Sequence, residues 1–89
     1  MAVRIPKFQC GDGIYIKWLD PKGFGPSWVD IKEAGFKESI KPATFETRGY
    51  YLWEEKDFIV LCGSYGDEGA SDLLALPKGC ITKIRKEKR

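Results

Sequence analysis

LALPKGCITKIRK, residues 74–86, decides the fold. An apolar segment stops at Pro77, turns through Gly79, and resumes apolar at Ile81 and Ile84. Proline presets φ for a tight turn, and glycine accepts a crowded backbone. A single 3₁₀ turn over Pro77–Cys80 is the shortest way to carry the chain from one side of a small β-structure to the other. The stretch therefore predicts a structural corner made by Pro77 and Gly79. Ile81 and Ile84 then anchor a last strand, Ile81–Lys86, in the core.

Working outward, Phe58–Cys62 (FIVLC) is a near-continuous apolar strand and Asp72–Leu76 (DLLAL) another. Gly13–Leu19 (GIYIKWL) alternates with period 2, with Ile14, Ile16 and Trp18 on one face and Tyr15, Lys17 and Leu19 on the other. Thr44–Glu54 (TFETRGYYLWE) is the longest strand, interrupted by Gly49. A glycine inside a strand marks a bend or a close backbone approach. Strict alternation through this strand puts Tyr51 and Trp53 on one face and Tyr50 and Leu52 on the other. Glu55–Asp57 is a polar turn, so Thr44–Glu54 and Phe58–Cys62 form a hairpin. Three segments read as connections. Asp20–Ser27 is a Pro- and Gly-rich loop, Phe36–Ala43 is irregular ahead of a strand-blocking Pro42, and Gly63–Ser71 is an exposed loop. Ser27–Gly35 reads as a short helical turn, with Ser27 as cap, Asp30 in the capping-box place and Gly35 at its end.

The 89 residues make one domain, 1–89, with 1–10 and 86–89 expected to be flexible. A chain of this size buries only roughly 60–65% of its unfolded surface, so the core is thin. Fifteen Lys and Arg against thirteen Asp and Glu leave +2, too little to point to nucleic acid by itself. The three cysteines, Cys10, Cys62 and Cys80, are far apart, and histidine is absent. That combination argues against a structural zinc site and a disulfide framework, and predicts free thiols in a reducing compartment. The opening MAVRIPKF has no apolar signal-peptide core, and no apolar run approaches ~18 residues. A cytoplasmic protein with no membrane span is expected.

Five short strands in so short a chain form a sandwich or a barrel, and a closed barrel removes sticky edges. ALPKGCITKI (Ala75–Ile84) resembles the corner between the fourth and fifth strands of SH3-like barrels, the Sm-like variety included. RGYYLWEEKDFIVLC (Arg48–Cys62) resembles the bent second strand, tight turn and third strand of the same barrels. The chain is also similar to a loose group of small uncharacterised phage and mobile-element proteins. The matching residues are Trp18-Leu19-Asp20, Gly49-Tyr50-Tyr51-Leu52, Ile59–Cys62 and Leu76–Ile84. The resemblance implies a mostly β fold, an SH3-like (Sm-like) barrel of about five antiparallel strands with one short helical turn. The Asp-x-x-Asn pair of the Sm signature does not follow Gly49.

No catalytic constellation is visible. General acid–base work most often uses histidine, and Cys62 and Cys80 have no base to make a thiolate. Asp67, Glu68 and Asp72 read as solubilising loop charges. No enzyme, cofactor or metal is expected. The signal that remains is aromatic residues interleaved with basic ones: Trp28, Arg48, Tyr50, Tyr51, Trp53, and Lys83, Arg85 and Lys86 of the tail. The large rings, Phe24, Phe36 and Tyr65 among them, outnumber what one small core can bury, and contiguous exposed aromatics mark interfaces. Two function classes follow. One is a non-enzymatic interaction or self-assembly module, homo-oligomeric, of phage or mobile-element type. The other is a small Sm-like binder of single-stranded RNA or DNA, using aromatic platforms beside cations.

Overall fold

In the computed structural model, residues 3–23, 25–26 and 28–87 are described; Met1, Ala2, Phe24, Ser27, Lys88 and Arg89 lie outside them. Five antiparallel strands form one sheet: β1 (Gly13–Asp20), β2 (Ala43–Glu54), β3 (Phe58–Gly66), β4 (Gly69–Pro77) and β5 (Ile81–Lys86). The strand order is β4-β3-β2-β1-β5. A 3₁₀ turn, Lys78–Cys80, joins the two edge strands, and one helical turn, α1 (Phe36–Ser39), precedes β2. The described residues contain no helix long and apolar enough to cross a membrane.

The sheet curls because β2 changes partner. Its first half pairs with β1, from Asp20↔Ala43 to Gly13↔Tyr50. Its second half pairs with β3, from Tyr50↔Cys62 to Glu54↔Ile59. The handover falls at Gly49-Tyr50. A β-carbon on Gly49 would stand 2.6 Å from the Cys62 carbonyl oxygen, a backbone atom that cannot swing aside. Only glycine lets β3 approach this closely.

Curling brings both edges onto one core. Ile14 and Ile16 of β1, Tyr51 of β2, Ile59 and Leu61 of β3, Leu76 of β4, and Ile81 and Ile84 of β5 are buried together. Each such side chain contributes roughly 1.5–3 kcal/mol. Val3, Ile5 and Phe8 pack against this cluster, with the Phe8 ring 5.3 Å from Tyr51. The corner is tied down from β2 and the turn after it. Lys78 donates its backbone N–H to the Asp57 carbonyl at 2.8 Å, and its ammonium meets Glu54 at 2.6 Å. Gly79 has open space where a β-carbon would be and no left-handed φ. The corner thus rests on Pro77 and Lys78 more than on Gly79.

Among the described residues no ladder joins β4 to β5, so the sheet is open at that seam instead of closed into a hydrogen-bonded barrel. The radius of gyration is 16.3 Å, with extents of 52 × 26 × 25 Å; a compact chain of this length would have about 12 Å.

Three local expectations are corrected. The segment Gly63–Ser71 is not a loop. β3 and β4 run on through it, pairing Ser64↔Ser71, Tyr65↔Ala70 and Gly66↔Gly69 around Asp67-Glu68. Every residue of 63–71 is exposed, so the sequence carries no apolar alternation to betray the arm. The helical turn lies at Phe36–Ser39, not within the described residues 28–35, and the expected cap at Ser27 falls outside the described residues. Asp30 accepts the Lys32 N–H at 2.9 Å in a local side-chain turn, and Gly35 begins the helix at φ 87. Lastly, alternation fails in β2. The register slips between Tyr51↔Leu61 and Trp53↔Val60, so Leu52 is an extra residue. Tyr51 enters the core while Trp53 faces solvent at 48% exposure.

Candidate interaction surface

The outer face of the sheet has two regions. On β5–β1–β2, cross-strand pairing puts Tyr15 opposite both Arg48 and Arg85, and Lys17 opposite both Glu46 and Lys83. Directly paired residues share a face. The two guanidiniums cover the Tyr15 ring, Arg85 at 4.1 Å and Arg48 at 4.9 Å from its centroid. Tyr15 is therefore buried to 3% exposure although it lies on the outer face. Its hydroxyl donates a hydrogen bond to Glu46 Oε1.

That hydrogen bond sets the local titration. It raises the Tyr15 pKa, with burial and the Glu46 charge adding to the effect and Arg85 and Arg48 opposing it. The same bond lowers the Glu46 pKa against the cost of burial, helped by Arg48, Lys17 and Arg85. Glu87 closes the array, with Oε1 at 2.6 Å from Arg48 Nε and Oε2 at 3.9 Å from Arg85. Lys86 turns instead to Asp12, at 3.6 Å.

Along the same face from Arg48, Tyr50 pairs with Gly13, and a hollow of about 360 Å³ opens beside them. Tyr65 reaches over from the β3–β4 arm, its ring centroid 6.3 Å from Tyr50. It rests 3.0 Å from where a β-carbon on Gly11 would be, and its hydroxyl lies 3.5 Å from Cys10 Sγ.

The β2–β3–β4 region is apolar. Trp53, Val60 and Ala75 form one cross-strand row, and Cys62 and Leu73 the next. Leu73 and Ala75 are exposed on β4, an edge strand. Away from the sheet, Trp28 is 100% exposed, with Val29 and Ile31 exposed beside it.

Of the residues singled out from sequence, Arg48, Tyr50, Lys83 and Arg85 come together on one face. Tyr51, Ile81 and Ile84 are core, Trp53 belongs to the apolar region, and Trp28 stands apart. The sequence reading missed Tyr15, Lys17, Glu46 and Glu87 as members of the charged array. Tyr15 and Lys17 sit on the outer parity of β1, but which cations they meet is a matter of register, which alternation does not supply. Among the described residues no group of three or more Cys, Asp or Glu is placed to hold a metal ion.

Compared with protein families, curated proteins and solved structures, the chain matches none.

Proposed function

We propose that this chain is a non-enzymatic interaction module of phage or mobile-element type that assembles with further copies of itself on an SH3-like barrel scaffold. The strand order β4-β3-β2-β1-β5, the handover at Gly49 and the 3₁₀ corner between β4 and β5 support that scaffold. The absence of histidine supports a non-catalytic role.

The observation that carries the assembly reading is Trp28. A tryptophan wholly in water, next to exposed Val29 and Ile31, forgoes roughly 1.5–3 kcal/mol per large side chain that a partner surface would supply. A second exposed apolar region runs from Trp53 of β2 across to Leu73 and Ala75 of β4, an edge strand. The two regions differ, so a loop of one copy set on the sheet of the next is a heterologous contact, which repeats into a ring or a chain.

Sedimentation velocity over a micromolar concentration series tests this. Association is expected in the parent protein and loss of it in a Trp28→Ala, Ile31→Ser variant whose melting temperature is unchanged. A monomer throughout the series refutes it.

A further inference from the structure

We propose that the β5–β1–β2 face binds single-stranded nucleic acid, with phosphates on Lys17, Lys83, Arg48 and Arg85 and bases stacked at Tyr50 and Tyr65. The inference is independent of the assembly reading, which uses the other surfaces.

The first observation is a conflict. Lys17 and Lys83 are directly paired across β1 and β5, and like charges so placed destabilise a sheet. Two guanidiniums stand in the next row. Four cations thus share two rows with one carboxylate from the strands, Glu46, which lies opposite Lys17 and accepts the Tyr15 hydroxyl, so the rows keep an excess of positive charge. Glu87 reaches in only to Arg48 and Arg85, leaving the lysine pair unanswered by it. A polyanion crossing the face relieves the repulsion.

The arginines are held in position before any ligand arrives. Both lie over one tyrosine ring, so little side-chain freedom remains to be lost on binding. Their side chains stay accessible, Arg48 at 62% and Arg85 at 47%.

The second observation selects single strands among polyanions. The cation rows continue into an aromatic pair, and Tyr65, 47% exposed, is seated against the Gly11 backbone with Tyr50 at its side. Unpaired bases stack on such rings, whereas a duplex keeps its base faces covered. The hollow beside Arg48 and Tyr50, lined also by Gly13 and Glu87, is large enough at about 360 Å³ to take a ring.

The test is fluorescence anisotropy with a labelled oligothymidylate over a salt series, with duplex DNA and polyglutamate as competitors. Binding should weaken with salt with a logarithmic slope of about −2 to −3, at roughly 0.7 per phosphate neutralised. Lys17→Ala with Lys83→Ala should make that slope shallower by about 1.4. Tyr65→Ala should weaken binding about 5- to 150-fold with the slope unchanged. Glu87→Gln frees Arg48 and should tighten binding roughly 2- to 5-fold, a gain that misfolding cannot produce. No binding at low salt overturns the proposal. So does equal competition by duplex or polyglutamate, or full affinity in the Tyr65→Ala variant.

Discussion

The Cys62 carbonyl oxygen of β3 stands over Gly49 of β2, 2.6 Å from the place a β-carbon would take. Here β2 leaves β1 for β3, and the two backbones come closer than any side chain allows. Gly49→Ala is expected to cost ~1–3 kcal/mol and Gly49→Val more, because one strand must move away from the other. Urea midpoints of the purified variants measure this. An unchanged midpoint for Gly49→Val would show that the close approach carries no strain.

Asp72 holds a left-handed φ of 56 within β4, opposite Gly63. Aspartate tolerates that conformation, and a β-branched residue does not. Asp72→Gly should therefore stay within about 1 kcal/mol of the parent, while Asp72→Val should lose ~1–3 kcal/mol. Thermal unfolding of the two variants side by side decides it, and equal losses would show that the aspartate side chain matters, not its φ.

The parts legible in the sequence were those whose cause is local. Ile14, Ile16 and Trp18 alternate because β1 turns one face to the core, and Pro77 closes β4 because it has no N–H for a further ladder bond. The β3–β4 arm was hidden because an exposed hairpin needs no apolar alternation, so Gly63–Ser71 is rich in turn-forming residues and reads as a loop. The fate of Trp53 was hidden for a different reason. One extra residue at Leu52 reverses every later side chain in β2, and a bulge has no residue signature. The charged face depends on register as well. Tyr15 meets Arg48 and Arg85 because of how β1 aligns with β2 on one side and with β5 on the other, two long-range pairings that β1 does not encode alone.

The thiols should separate cleanly in reactivity. Cys10 is exposed, Cys80 half-buried in the corner, and Cys62 buried. Burial also raises the Cys62 pKa, with nearby Cys10 adding to it, which lowers the thiolate fraction at neutral pH. Ellman's reagent should label Cys10 first, Cys80 more slowly, and Cys62 only on unfolding. Peptide mapping after a short exposure checks the order, and early labelling of Cys62 would contradict the packing around it.

The Tyr15–Glu46 hydrogen bond makes stability depend on pH at both ends. Tyr15 has a folded pKa above its ordinary value of 10.0, so the fold prefers the protonated phenol. Its contribution is whole below pH 10 and is lost as pH climbs through the raised folded value. Glu46 has a folded pKa below 4.5, so its contribution is whole above that pH and is lost as pH falls through the lowered value. Between the two limits the pair adds a flat plateau. Tyr15→Phe should flatten part of the alkaline limb and, by removing the donor to Glu46, part of the acid limb too. The alkaline limb should shrink and not vanish, because Tyr51 and Tyr65 also titrate above 10.0, Tyr51 chiefly through burial and Tyr65 chiefly through its Cys10 hydrogen bond. Urea midpoints across the pH range for the parent, Tyr15→Phe, Glu46→Gln and the double variant close a cycle. Both single variants should show the same loss at neutral pH, and the double variant little more than either. Additive losses would mean that the two side chains act apart, with Arg48 and Arg85 holding Tyr15 in place unaided.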